Sequence, residues 1–452
     1  MSSTPPIGTP KKHEECFETP HLIKRRSSLM RDNNFCQPKP SDLSEKIVYT
    51  DAFQRLRRIK QLGAMDFVVS SATHTRFEHS LGVSELARSM VKHLNYVQVV
   101  STQQTTGEDV VNESDDRTIE VAALCHDLGH GPFSHVYEGV MKARGIHFNH
   151  EEQSVKLFKK IVDDESIDFT TDEVRGVEEI ILNNLTSSKK WRRQIVSNES
   201  NGIDVDRLDY IRRDSYHLNI PLRFKVENII QNSVILDNNI CYLTDCKNDL
   251  EELFNNRYAL YKNFYNGKET GSAELLVSDI LIQAANYIPT LKATPDDLDT
   301  FIQLDDSVLN QIRFSKDPNL KQAKEMTRLL DRGKLYPLVT TIKQTQANEE
   351  MIAKLTPELV ANFGKNLLPN DIIVNNQTIS VARKDNWENI AFVQSFDSKN
   401  YFFMTPSILY PKETQTHWKR IYTRSPEKME DIKNAVEKFV GAEQLENSIL
   451  LD

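Results

Sequence analysis

Ala-Leu-Cys-His-Asp-Leu-Gly-His-Gly-Pro-Phe-Ser-His, residues 123–135, sets an imidazole and a carboxylate side by side at His126 and Asp127. An apolar run delivers the pair, and His130 and His135 follow it. One doublet of this kind means little. Here it stands between His79, in Arg-Phe-Glu-His, and Asp206, in Gly-Ile-Asp-Val-Asp-Arg. Two nitrogen and two carboxylate donors thus come from three separate segments. Such a set suits a divalent metal with open coordination positions, where hydrolysis takes place. Each residue alone is more simply a member of a structural hydrogen-bond network; together they favour a ligand set. A buried Asp127 without a partner is costly, and a metal satisfies it and His126 at once.

The chain has 452 residues, enough for two or three domains or one large one. A net charge of −9 excludes a protein that is basic throughout, so a polyanion must meet a local basic pocket. The five cysteines (16, 36, 125, 241 and 246) show no C-x-x-C spacing, which argues against a disulfide framework or thiolate zinc site. No stretch approaches a membrane span and no signal-peptide core is visible. These features predict a soluble intracellular protein, nuclear or cytoplasmic, with no membrane partner.

Residues 1–44 are rich in Ser, Thr, Pro and charge and read as a disordered tail carrying Lys24-Arg25-Arg26-Ser27-Ser28. Helical patterns then dominate. Val83, Leu86, Ala87, Met90, Val91 and Leu94 mark one apolar helix face. The polar segment 101–117 reads as a loop, and residues 119–128 as a short apolar helix stopped by Gly129, with His126 and Asp127 in its last turn. Helices are expected over 151–162, 174–185, 204–216, 250–265 and 273–288, with a polar linker around 187–193. Asp371-Ile-Ile-Val, the run from Gln377 to Ala382 and the run from Ile390 to Phe396 read as short strands. The fold class is therefore mainly α, with a smaller mixed α+β C-terminal part.

Five motifs occur in order: Phe-Gln-Arg-Leu-Arg-Arg-Ile-Lys-Gln-Leu-Gly (53–63), His-Thr-Arg-Phe-Glu-His-Ser-Leu-Gly-Val (74–83), the segment 124–135, Asn-His-Glu-Glu-Gln-Ser-Val (149–155) and Asn-Gly-Ile-Asp-Val-Asp-Arg-Leu-Asp-Tyr-Ile-Arg-Arg-Asp (201–214). Together they resemble the HD-domain deoxynucleoside triphosphate triphosphohydrolases, in particular the animal branch that pairs a SAM domain with the HD domain. The similarity begins near residue 45, and no SAM domain is expected ahead of it. The resemblance implies a helical HD core over 45–290 and an α+β lobe over 291–452. It implies hydrolysis of a dNTP to deoxynucleoside and inorganic triphosphate, control of dNTP levels, and a dimer or tetramer.

Carried over by position, His79, His126, Asp127 and Asp206 become the metal ligands, for Fe, Mn, Zn, Mg or Ni. His130, His135 and His150 face the triphosphate, with Arg76 and Arg207 as charged clamps. Tyr210 and Asp214 hold the sugar, Gln61 and Leu62 lie at its 3′ side, and Arg257 and Tyr265 are further pocket positions. A triphosphate carries nearly four negative charges, which this concentration of cations and a metal suits. His135 is the candidate acid for the departing 5′-oxygen, with Glu138 as its orienting carboxylate.

The departures concern specificity and switching. Glu138 replaces the family's Asp, and Tyr261 replaces a His on the base side. The family's activating-nucleotide site retains Gln54 and Arg57, but Tyr49 stands for an Asp, and Leu243 and Asp245 for a basic pair. Nucleotide activation is therefore expected to be altered or absent. His74 and His217 read as structural histidines. Lys189-Lys190-Trp191-Arg192-Arg193 reads first as a charged loop and second as a weak single-stranded nucleic-acid patch. Two rival functions remain: an HD phosphohydrolase or phosphodiesterase on another nucleotide or oligonucleotide, and a non-catalytic HD protein binding nucleotides or single strands.

Overall fold

The computed structural model describes residues 41–101, 107–184, 188–380, 387–407 and 415–449. Most of the segment read as a tail therefore lies outside the described residues, and helix α1 (Asp42–Val48) already takes in residues 42–44. Next come α2 (Asp51–Gln54), α3 (Arg76–Val100), α4 (Glu113–Cys125), α5 (His135–Ala143) and α6 (His150–Asp164). After them follow α7 (Thr171–Ile181), α8 (Lys190–Val196), α9 (Val205–His217), α10 (Val226–Gln231), α11 (Lys247–Leu260) and α12 (Lys268–Ala284). Local chemistry sets the starts that matter. Thr75 donates its backbone N–H to Glu78 at 2.7 Å in a capping box ahead of α3. The Asp204 carboxylate accepts the Arg207 N–H at 2.9 Å at the start of α9. The face of α3 from Val83 to Leu94 is buried as the spacing predicts.

Three segments differ from the sequence expectation. Helix α4 starts at Glu113, inside the stretch read as a loop. Asn112 and Asp115 form a capping box there, so the acidic residues are a helix N-terminus, where negative charge is favoured. The same helix ends at Cys125, not at Gly129, and His126 and Asp127 lie just beyond it. Ser154 explains the stop: its hydroxyl donates to the His126 carbonyl at 2.7 Å and accepts the Gly129 N–H at 2.8 Å. Gly129 is required because a Cβ there would stand 2.2 Å from the His150 carbonyl oxygen.

The linker around 187–193 contains helix α8. Its basic run is divided. Trp191 is fully buried and donates to the Glu108 carbonyl at 2.8 Å, while Lys189 and Arg192 both pair with buried Asp115. Only Lys190 and Arg193 of the run line a shallow surface groove.

The strands form two small sheets. The first, with order β1-β2-β5-β6, joins the hairpin β1 (Ser233–Leu236) and β2 (Asn239–Leu243) to β5 (Ala391–Val393) and β6 (Phe402–Phe403). The second, with order β3-β7-β4, consists of β3 (Leu338–Lys343), β4 (Ile372–Ser380) and β7 (Gln415–Thr423). The first two expected strands are thus the single strand β4, and residues 381 and 382 lie outside the described residues. The main core extends through Leu330 and takes in Trp387, Ile390 and Phe392. A separate core from Val339 to Phe439 fills the second sheet and its helices. The fold is mainly helical with a smaller α+β lobe, and no helix among the described residues is long and apolar enough to cross a membrane.

The divided basic run gives a direct test. Trp191→Ala is expected to cost about 3–5 kcal/mol, as truncation of a buried aromatic does. Lys190→Ala should stay within ~0.5 kcal/mol, and chemical denaturation of both variants checks the contrast.

Candidate metal centre and adjoining pocket

Three chain segments converge on one point. The first turn of α3 supplies His79, the turn after α4 supplies His126 and Asp127, and the first turn of α9 supplies Asp206. His79 Nε2 lies 3.1 Å from Asp206 Oδ1, and His126 Nε2 lies 3.5 Å from the same oxygen. Each imidazole is fixed through its other nitrogen. His79 Nδ1 meets Asp209 Oδ2 at 2.8 Å, and His126 Nδ1 meets the Ala123 carbonyl at 2.8 Å. With Nδ1–H donating, both Nε2 lone pairs face Asp206, the arrangement metal-ligating histidines adopt.

His126 Nε2 is buried and has no hydrogen-bond partner among the described residues. A buried imidazole nitrogen left unpaired is costly, and a cation satisfies it. The electrostatics agree. Burial alone favours a neutral His79, yet Asp206, Asp209 and Asp127 outweigh it and push its pKa up to about 10. Burial raises the Asp206 carboxyl, but His126 and His79 more than reverse this and hold it well below the usual range. The cluster calls for positive charge, and its donor set fits a divalent metal.

Asp127 stands slightly apart. His79, His126 and Asp206 each present one ligand atom within 4.8 Å of the others, and Asp127 is outside that group. Its carboxylate reaches both imidazoles at 3.5 Å while Arg76 holds Oδ2 and His130 Nε2 lies 3.3 Å from Oδ1. Arg76, expected as a phosphate clamp, is buried between Asp127 and the Ser134 hydroxyl, which it meets at 2.8 Å.

Beside this cluster sits a second group: His130, His135, Glu138 and His150. His130 and His150 stack with centroids 4.0 Å apart, and the His135 ring stands edge-on to both. Burial, then Arg76 and His150, keep His130 neutral. Glu138 Oε1 is 2.6 Å from His150 Nδ1 and 3.5 Å from His135 Nδ1, so the carboxylate expected to serve His135 is shared and lies closer to His150. The His135 side chain is 72% exposed.

The third part is an aromatic wall from α9, the end of α11 and the helical turn Tyr261–Tyr265 that follows it. Arg257 bonds Tyr210 and lies over the Tyr261 ring at 4.3 Å, and Tyr261 stands edge-on to Tyr265 at 4.9 Å. Arg207 is paired with Asp204. Asp214 is buried, with His74 Nε2 2.7 Å from Oδ1 and the Tyr265 hydroxyl donating to Oδ2. Gln61 Oε1 is buried without a partner among the described residues, and Leu62 packs half-buried against the core. Away from the cluster, Arg57 donates to Gln54 Oε1 at 2.9 Å and covers the Phe77 ring at 3.5 Å.

Several supporting residues escaped the sequence reading. Asp209 bonds His79 and is gripped by Arg213 at 2.8 and 2.9 Å. The spacing Asp206-x-x-Asp209-x-x-x-Arg213 on one helix carried that signal. Arg55, fully buried, donates to the Leu128, His130 and Leu304 carbonyls and holds the loop after α4. Asp306 accepts the Phe133 and Lys60 N–H groups at 2.6 and 2.8 Å, and nothing near it in sequence marks it out.

The HD domain family model matches residues 76–214, the span that contains His79, His126, Asp127 and Asp206. Over 432 residues the chain is 32% identical to a Dictyostelium discoideum protein named deoxynucleoside triphosphate triphosphohydrolase SAMHD1 homolog, covering 94% of this chain and 82% of the relative. The chain belongs to the SAMHD1-like family of HD-domain phosphohydrolases. Human SAMHD1 is 32% identical over 66% of the chain and the bovine protein 31% over 72%. The chain spans 53% of the human and 60% of the bovine protein. In this SAMHD1-like chain the HD match ends at Asp214, so Arg257, Tyr261 and Tyr265 belong to the wall outside it.

Two outcomes test the geometry. Asp209→Ala removes the acceptor that fixes His79, and metal affinity should fall roughly 10–100-fold, read by metal titration. Burial raises the Glu138 carboxyl, but His135 and His150 overcome this and lower it from 4.5 to about 2. A depressed carboxyl stabilises the fold fully above its unfolded pKa and loses that contribution as pH falls. The stability lost in Glu138→Gln should therefore be fully present just above pH 4.5 and shrink as pH is lowered toward about 2, measured by denaturation across that range.

Proposed function

We propose that the chain is a metal-dependent deoxynucleoside triphosphate triphosphohydrolase. One observation carries the reading: the buried His126 Nε2, with no hydrogen bond of its own, faces Asp206 beside His79. His79, His126 and Asp206, with Asp127 adjoining, would hold the metal. A divalent cation bound there supplies Lewis acidity toward a phosphoryl oxygen and toward water.

The protein's own groups do the rest. His130, kept neutral, and His150 line the phosphate side. The Arg207 guanidinium stays charged, because Asp204 outweighs its burial and raises its pKa. Water adds at the α-phosphorus, the bond to the 5′-oxygen breaks, and His135 gives that oxygen its proton while Glu138 holds the Nδ1 side. By the resemblance, Tyr210 and Asp214 hold the sugar beside Tyr265, and a tyrosine stacked under its ring excludes a 2′-hydroxyl. Tyr261 stands on the base side with Arg257 over it, and the altered Tyr49, Leu243 and Asp245 positions mean that activation by a guanine nucleotide is changed or lost. The resemblance supports a dimer or tetramer.

The second histidine group supports an alternative. His130, His135, Glu138 and His150 could themselves hold a cation, and two metals side by side suit hydrolysis of a phosphodiester or monophosphate. Product analysis on metal-defined protein separates the readings. Intact triphosphate from the four dNTPs, with little from ATP and with turnover in the absence of GTP, is expected. Release of phosphate or pyrophosphate, or two tightly bound metals per chain with diester cleavage, would overturn the first reading. His126→Ala should lower the rate by roughly 100-fold or more.

A further inference from the structure

Behind the aromatic wall lies a polar chain that no step above uses. His74 is fully buried, and its Nε2 meets Asp214 Oδ1 at 2.7 Å. The other oxygen of Asp214 accepts the Tyr265 hydroxyl. The His74 ring is held flat against His217, with centroids 4.1 Å apart and planes 17° apart, so it is not free to turn. Its carbonyl accepts the Gln61 N–H at 3.0 Å. One residue thus ties together the segment carrying Gln61 and Leu62, the carboxylate on α9, and the tyrosine that closes the wall. Asp214 is only 1% exposed, and through the oxygen that accepts the Tyr265 hydroxyl it acts on the aromatic wall as well.

We propose that His74 is a positioning residue for sugar selection: by fixing Asp214 it anchors the Tyr265 hydroxyl, and the anchored ring makes the wall rigid against a 2′-hydroxyl. The physical need is clear. A tyrosine with a free hydroxyl can shift within its rotamer well and admit one more oxygen atom. A ring held at both ends, by Tyr261 at its edge and by Asp214 at its hydroxyl, yields only by breaking a buried hydrogen bond. Such a bond contributes enough to set about a tenfold preference. His74 Nδ1 is buried without a partner among the described residues, a cost that a purely packing role would not call for. The inference rests on the proposed deoxynucleotide pocket.

Two variants of the full chain, metal-loaded, test it. His74→Phe keeps a flat ring against His217 but removes the donor to Asp214. His74→Gln restores an N–H donor near the original place. Two readouts are taken: the kcat/KM ratio for dGTP over GTP, and the ratio of dissociation constants for non-hydrolysable deoxy- and ribonucleoside triphosphate analogues. In His74→Phe both ratios should fall about tenfold, with bound metal unchanged, and His74→Gln should recover them to within roughly threefold of the parent. Unchanged ratios in His74→Phe, or equal loss in both variants together with a matching fall in Tm, would overturn the proposal. Should the parent release no triphosphate, the enzymatic reading fails by itself, while the analogue-binding ratios still decide the role of His74. Equal binding of both analogues by the parent also overturns it.

Discussion

Three aspartates, 127, 206 and 209, crowd against two imidazoles in the interior, and their charge governs how the site is built. Carboxylates taken out of water need partners, because the cost of an uncompensated buried charge is several kcal/mol. The partners are distributed unequally. Arg213 grips Asp209 with two hydrogen bonds, and Arg76 holds Asp127. Asp206, one third exposed, meets the two imidazoles and, among the described residues, no guanidinium within ion-pair distance. It is the carboxylate with spare charge, and it faces the unpaired His126 nitrogen. The Asp206 carboxylate and the His126 Nε2, which makes no hydrogen bond of its own, face one another, and that juxtaposition is the physical argument for a cation there. Packing follows the same demand: a Cβ on Gly82 would stand 2.1 Å from Asp209 Oδ1, so α3 and α9 approach only because that position has no side chain.

The doublet sits where α4 gives way to the loop after it. In α4 proper, successive side chains diverge by about 100° around the axis, and His126 and Asp127 would point to different places. Helix α4 ends at Cys125, His126 keeps helical dihedrals as its C-cap (φ −57°, ψ −35°), and the turn that follows carries Asp127. That ending is imposed from outside, by the Ser154 hydroxyl, by Arg55 on the His130 and Leu128 carbonyls, and by Asp306 on the Phe133 N–H. These groups come from residues 55, 154 and 306 and meet only in the folded chain. Phe133 and Ser134 accept positive φ values of 57° and 56° in the same loop, strain that the surrounding bonds hold in place.

What could be read from sequence was what spacing records. The apolar face of α3, the charged helix α9 and the donor residues His79, His126 and Asp206 were legible because each sits in a motif with a local pattern. The helix limits were not, since Ser154 and Arg55 act through tertiary contacts that no window contains. Trp191 was hidden for the opposite reason: flanking cations made its helix resemble a loop, and only burial of Asp115 explains why Lys189 and Arg192 turn inward. The hairpin β1–β2 did carry a signal, Asp237-Asn238, whose φ values of 50° and 60° suit a tight turn. Asp306 carried none.

The two arginines that resemblance places on the phosphates are each neutralised by a neighbour, Arg76 by Asp127 and Arg207 by Asp204. Neither is a free cation awaiting an anion. His130 is neutral as well, by burial and by the positive field of Arg76 and His150. A polyanion entering this pocket therefore gains little from fixed positive side chains until a cation offsets Asp206 and Asp127. On the proposed reading a bound cation would therefore favour not only the chemistry but also the approach of a phosphate, since the carboxylates that would hold it repel an anion on their own. On that reading discrimination falls to the other end of the site, where aromatic rings line the wall and Arg257 and Asp214 are each held by a tyrosine. Tyr265, Tyr261 and the His74–Asp214 pair behind them form that end.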